Sequence, residues 1–155
     1  MLILRLVPAV PRPVEVFFVH YDPAGRSGTL VSASRTASAG GTSVRVEEAL
    51  RALLAGPTPE ERGHGISSEI PEGTALRGVQ ILRGVAAVDL TSAFSRGGGS
   101  SSMLARVWQV VYTATEVRGV SAVQITLDGR RVQALGGEGV PIGAPLHRPA
   151  AVPTF

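Results

Sequence analysis

The sequence predicts an α+β domain in the order β-β-α-β-β-α-β, with one mixed sheet carrying two helices on one face. Three observations lead there. Five segments alternate or concentrate β-branched residues over strand lengths, two segments repeat apolar residues at three- and four-residue steps, and Gly/Pro signals separate them. The alternating strands imply one buried and one wet sheet face, and the two apolar helix stripes supply the cover.

Val14–His20 (VEVFFVH) is β-branched and aromatic and runs into Asp22–Pro23, so it reads as a strand and turn. Thr29–Thr36 alternates and reads as the second strand. Ser43–Ala55 is the first predicted helix, with Ser43 as N-cap and Glu47–Glu48 in its first turn. Val46, Ala49, Leu50, Leu53 and Leu54 share a face, and Gly56–Pro57 ends it. Thr58–Thr74 reads as a seventeen-residue loop, long for a compact domain and therefore a candidate functional segment.

Leu76–Leu82 and Val85–Leu90, joined by Arg83–Gly84, form a hairpin. Thr91–Ser102 is a loop with the run Gly97–Gly98–Gly99, and Phe94 beneath it is a core candidate. Ser102–Val117 is the second helix, carrying Leu104, Val107, Val110, Val111, Ala114 and Val117 on one stripe, with Trp108 and Tyr112 beside it. Ser121–Leu127 is a strand, and Asp128–Gly129 turns it into Arg131–Leu135. The tail from Gly136 is irregular. The domain is expected over residues 14–148, with residues 1–13 a leader or linker and 149–155 a tail.

Composition removes several kinds of chemistry. With 44% hydrophobic and 17% charged residues the chain is that of a folded domain rather than a disordered one. No cysteine is present, which excludes disulfides, thiolate metal sites and a cysteine nucleophile. All fifteen basic residues are arginine, which excludes any lysine-based P-loop, Schiff base or general base. The net charge of +3 comes from scattered arginines with one adjacent pair, Arg130–Arg131, so nucleic acid is not an expected partner. No apolar stretch reaches 18 residues, so no membrane span is expected in this sequence. Met1–Val10 is apolar but broken by Arg5; it reads either as the remnant of an export signal or anchor, or as an added leader that packs as an edge segment.

The remaining candidates for chemistry are sparse. His20, His64 and His147 stand apart and match no metal-binding spacing, so no metal and no cofactor is expected. His64 beside Ser67 and Ser68 is the best local triad fragment, without a nucleophile elbow to support it. Glu60, Glu61, Glu69 and Glu72 in the long loop read as turn and solubility residues rather than a glycosidase pair. Asp89 reads as an exposed sheet residue or a cap of the Thr91–Ser92 turn. Gly97–Ser101 precedes a helix N-terminus without matching any phosphate-loop pattern, and reads as a flexible loop. Trp108 and Tyr112 read as core first, and as an exposed partner patch second.

In order along the chain, EALRALLAGP (48–57 region), ISSEIPEGT (66–74), VAAVDLTSAF (85–94), QVVYTATE (109–116) and VSAVQITLDG (120–129) resemble the GerMN domain of sporulation and spore-germination proteins and other bacterial envelope proteins. The resemblance covers about residues 14 to 148. It implies an α/β domain related to ring-building modules, an exported setting commonly reached through a lipid-linked Cys or membrane helix, and a protein-interaction role near the cell wall without a catalytic site. The sequence has no lipobox Cys.

The reading that follows is a non-enzymatic, extracytoplasmic interaction module of the cell envelope, binding an envelope protein or itself. The second reading is a peptidoglycan or small-ligand binding module, and the third an enzyme requiring His64 or His20 to meet an acid and a hydroxyl. The candidate interaction surface is His64, Glu69, Glu72, Trp108 and Tyr112, together with exposed strand edges.

Overall fold

The computed structural model describes residues 2–7, 10–136 and 139–155. Of the expected leader, Met1, Pro8 and Ala9 lie outside the described residues. The α+β class and the order of the main elements are those expected.

Strands β1 (Val14–Tyr21) and β2 (Gly28–Arg35) pair antiparallel in unbroken register from Val14↔Arg35 to Tyr21↔Gly28. Helix α1 spans Thr42–Leu54. Strands β4 (Leu76–Leu82) and β5 (Val85–Leu90) form the expected hairpin. Its turn residues Arg83 and Gly84 both take positive φ, 50° and 77°, the geometry that matches the twist of a two-residue hairpin. Helix α3 spans Ser100–Glu116, and β6 (Ala122–Leu127) lies parallel to β5. The Asp128–Gly129 turn then returns the chain as β7 (Arg130–Arg131).

Several expectations need correction. The strands do not form a single sheet: β2-β1-β3, with β3 at Ile66–Ser67, is one ladder and the mixed β4-β5-β6-β7 another. The helices span both, α1 lying against β1 and β4, and α3 against β1 and β6. The segment 58–74 is not one long loop. Thr58 and Glu61 form a reciprocal capping box that, with Pro59 at the first turn, starts the short helix α2 (Pro59–Gly63), and Ile66–Ser67 follows as β3 on β1. Helix α1 begins one residue before Ser43, capped by Gly41 with no side-chain bond; Glu47 pairs instead with Arg51 at 2.8 Å. Helix α3 also starts earlier than Ser102, because Gly99 takes the cap position. The predicted strand 131–135 is split between β7 and β8 (Ala134–Leu135), the latter pairing with β9 (Val140–Pro141).

The core is one cluster between the helices and both ladders. It joins Val14, Val16 and Phe18 of β1, Val46, Leu50 and Leu53 of α1, Val107, Val110 and Val111 of α3, and Val88, Leu90, Val123 and Ile125 of the mixed sheet. Each such side chain contributes about 1.5–3 kcal/mol when fully buried. Phe94 sits fully buried in the same cluster, as its sequence position predicts. Among the described residues no helix is long and apolar enough to cross a membrane.

The last residues are strapped across the fold. Leu146 exchanges both backbone bonds with Val123 of β6, at 2.9 and 2.8 Å, and Phe155 does the same with Gly28 of β2, at 3.0 Å each way. Between them Arg148 stacks over Tyr112 at 4.5 Å and pairs with Glu116 at 2.6 Å.

Candidate functional site

Helix α3 organises the polar interior. Gln109 and Thr113 lie one turn apart, fully buried, and face the edge of β1 beyond the point where β3 stops. Thr113 Oγ1 accepts the Phe17 N–H at 3.0 Å, and Gln109 Nε2 donates to the Phe17 carbonyl at 3.1 Å. Two helical side chains thus do for Phe17 what a neighbouring strand would do. This explains the division into two ladders: the space beside β1 is already filled. Gln109 is satisfied elsewhere too, accepting the Glu69 N–H at 2.9 Å and donating to Ser68 Oγ at 3.2 Å.

Next along the same helix, Arg106 is 2% exposed. Its guanidinium donates to the carbonyls of Phe94, Arg96 and Gly97, each at 2.9 Å, and to Ser102 Oγ at 2.8 Å. The Ser102 hydroxyl in turn donates to Glu69 Oε2 at 2.6 Å, and Tyr21 donates to Glu69 Oε1 at 2.5 Å. Burial, then the bond to Glu69 and its charge, push the Tyr21 phenol up to about 12. Burial lowers the Arg106 pKa, against the opposing pull of Glu69. The chain Tyr21–Glu69–Ser102–Arg106 is therefore a tether between β1, the 66–74 segment and the glycine run before α3. Each side-chain donor in it is spent on an internal acceptor.

The residues singled out from the sequence are scattered. Glu69 is inside this tether. His64 is exposed at the end of α2, its Nδ1 2.9 Å from the Glu60 carbonyl, and Glu72 is exposed in the turn before β4. Tyr112 is buried, edge-on to Phe17 at 5.4 Å and to Trp108 at 6.4 Å, under the Arg148 guanidinium. Trp108 packs against the core and keeps part of its surface. His20 is exposed on β1 and His147 is exposed in the tail, bonded to the Ser121 carbonyl. Among the described residues no three His, Asp or Glu side chains converge as metal ligands. Asp89 does not cap Thr91–Ser92. Its carboxylate accepts Thr126 Oγ1 at 2.7 Å and the Gly129 N–H at 2.8 Å and pairs with Arg77 at 3.2 Å, because the parallel β5–β6 register sets Asp89 beside Thr126. Asp128 caps Ser92 instead. Gly97–Ser101 is held by Arg106 rather than free.

Arg106, Gln109 and Thr113 were missed by the sequence reading. Their signal was present: three polar residues at three- and four-residue steps along the helix that carries the apolar stripe. Such a row inside a buried helix marks side chains bonded to the backbone of a neighbouring element.

Several surfaces remain open among the described residues. A cleft of about 680 Å³ lies between the start of α1 and the end of α3, edged by Arg12, Arg45 and Arg118 but also by Glu15 and Glu116. Arg45 there is committed to the carbonyls of Arg12, Pro13 and Ser38. The other surfaces are the outer edges of β2 and β4, which stand at the ends of their ladders.

Comparison with solved structures gives close folds at low identity. The tandem GerMN domains of the sporulation protein GerM from Bacillus subtilis superpose with a TM-score of 0.74 at 18% identity, covering 97% of this chain and 49% of that one. The chain spans about half the length of that tandem. The first GerMN domain of the same protein gives 0.64 at 21% identity, covering 88% and 98%. A Clostridium perfringens protein described as a candidate lipoprotein gives 0.63 at 16% identity, covering 96% and 93%. No curated protein matches the chain. The family model for sporulation and spore germination, Germane, matches residues 15–133, the span that holds both ladders and all three helices. The chain belongs to the Germane family of sporulation and spore-germination domains.

Proposed function

We propose that this domain is a non-catalytic interaction module of the bacterial cell envelope, serving a complex in sporulation, germination or wall remodelling. One observation carries the reading. The polar groups along α3 are bonded to the fold's own backbone and to one another, whereas β4 and the part of β2 beyond the tail each present an outer edge. Exposed edges offer a row of unpaired N–H and C=O groups to an added strand. The extracytoplasmic setting draws support from the candidate lipoprotein that shares this fold.

A peptidoglycan- or small-ligand-binding module is the second reading, favoured by the surface that Trp108 retains. Tyr112 lies beneath Arg148, which leaves a single ring for such a platform.

The test is capture from envelope extract with crosslinking and mass spectrometry, with purified peptidoglycan as a parallel bait. Enrichment of a specific envelope protein supports the interaction module. Retention on peptidoglycan alone, lost in Trp108→Ala, moves the function to the second reading. Capture of nothing by either route removes both.

A further inference from the structure

The last turn of α3 carries no basic residue of its own, although a helix C-terminus favours a cation. The tail supplies one. Arg148 Nε donates to Thr115 Oγ1 at 2.7 Å, and its Nη2 donates to the Tyr112 carbonyl at 2.8 Å and to Glu116 Oε2 at 2.6 Å. The same guanidinium lies over the Tyr112 ring at 4.5 Å and the Phe17 ring at 5.4 Å. The receiving groups are oriented without Arg148. Thr115 spends its proton on the Val111 carbonyl at 2.7 Å, which leaves its oxygen to accept. Tyr112 is buried and set edge-on to Phe17 and Trp108. Two rings, a carboxylate, a hydroxyl oxygen and a carbonyl around one planar fork suit arginine; the ammonium of lysine has no fork to span them.

Little else holds the tail in place. None of residues 147–155 is buried. Among the described residues, 147–153 make no backbone-to-backbone bond. Beyond Arg148 the tail has the exposed His147 on the Ser121 carbonyl at 3.1 Å and the exchange between Phe155 and Gly28 at its end. The four receptor residues fall within the matched span 15–133, and the tail lies after it. A segment with so little buried surface and so few backbone bonds opens without disturbing the core. Opening would free the arginine receptor and the start of β2 together.

We propose that Phe17, Tyr112, Thr115 and Glu116 form a receptor for an arginine on an extended segment of a partner protein, and that the chain's own tail closes this receptor through Arg148 until such a segment displaces it. The tail is the pattern for that partner. It is an extended stretch in which arginine precedes proline and whose end adds antiparallel to the β2 edge at Thr29. The proposal rests on the interaction reading above and specifies the partner's chemistry.

Trp108 is the only tryptophan and stands 6.4 Å from Tyr112, so its fluorescence reports on the receptor. The probes are a capped peptide with the sequence of residues 146–155 and its Arg148→Lys form, each titrated into the full chain. A tethered occupant competes at an effective concentration on the order of millimolar, so full-length Arg148→Ala should bind the arginine peptide about tenfold more tightly than the wild type does. The same variant should bind the lysine peptide about tenfold more weakly than the arginine peptide. Equal binding of the arginine peptide by wild type and Arg148→Ala, or of both peptides by the variant, overturns the proposal. If Arg148→Ala does not fold, full-length Arg148→Lys takes its place with the same expected order. Amide exchange of the wild type adds an independent check: Phe155 should exchange by local opening, well ahead of Val16, and exchange of both in one global step also overturns the proposal. Should the peptides fail while the crosslinking experiment above still captures an envelope protein, the receptor falls and the interaction reading stands; failure of both removes both.

Discussion

Replacing Thr113 by valine tests whether helix side chains close the edge of β1. Thr113 is fully buried, and its hydroxyl accepts the Phe17 N–H at 3.0 Å. Valine keeps the shape and removes the acceptor. A buried donor left without a partner costs about 1–3 kcal/mol. For a domain of this length each kcal/mol lowers Tm by about 2–4 °C. The hydroxyl of Thr113 has no other partner among the described residues, so the loss should fall on this one bond. Urea denaturation of wild type and Thr113→Val gives the energy, and amide exchange gives its location: the Phe17 amide should exchange faster while Val16 and Phe18, bonded to β2, change little. Stability within about 0.3 kcal/mol of wild type, with Phe17 protection unchanged, would refute the idea that α3 substitutes for a strand.

Arg106→Met keeps the aliphatic stem but strands three carbonyls and Ser102 Oγ, so urea denaturation should show a loss of about 3 kcal/mol or more. Gly98→Ala places a Cβ 2.6 Å from Ser102 Oγ and 2.7 Å from Arg106 Nη2 at a φ of +81°; it should cost more than about 1 kcal/mol in the same assay, against no loss at an open glycine of ordinary φ such as Gly63. Tyr21 titrates at about 12 in the folded domain against an ordinary 10.0. A raised pKa means its stabilising contribution is whole below pH 10 and fades as pH climbs through 12. Ultraviolet titration of tyrosinate should show Glu69→Gln moving this step down, toward but not to the ordinary value, since burial persists.

Much of the fold was legible because its causes are local. β-branched and aromatic content named β1, alternation named β2, turn chemistry named the β4–β5 hairpin and the Asp128–Gly129 turn, and helical spacing selected the core residues of α1 and α3. Boundaries failed where glycines took the cap positions, Gly41 in place of Ser43 and Gly99 ahead of the expected start at Ser102. Helix α2 was lost because loop-like residues hid a capping box between Thr58 and Glu61. The site was less legible. Glu69 and Tyr112 were singled out for a surface, yet one is a link in an internal tether and the other lies beneath Arg148.

By itself the sequence determined the α+β class, the element order, the core, the missing thiol and lysine chemistries and the family likeness, since each depends on composition or on residues a few positions apart. Only the tertiary structure decided that the strands divide into separate ladders, that the polar row on α3 replaces a strand beside Phe17, and that the tail covers the start of β2. Those outcomes depend on contacts between residues 92, 96 and 127 positions apart, whose pairing no local pattern records.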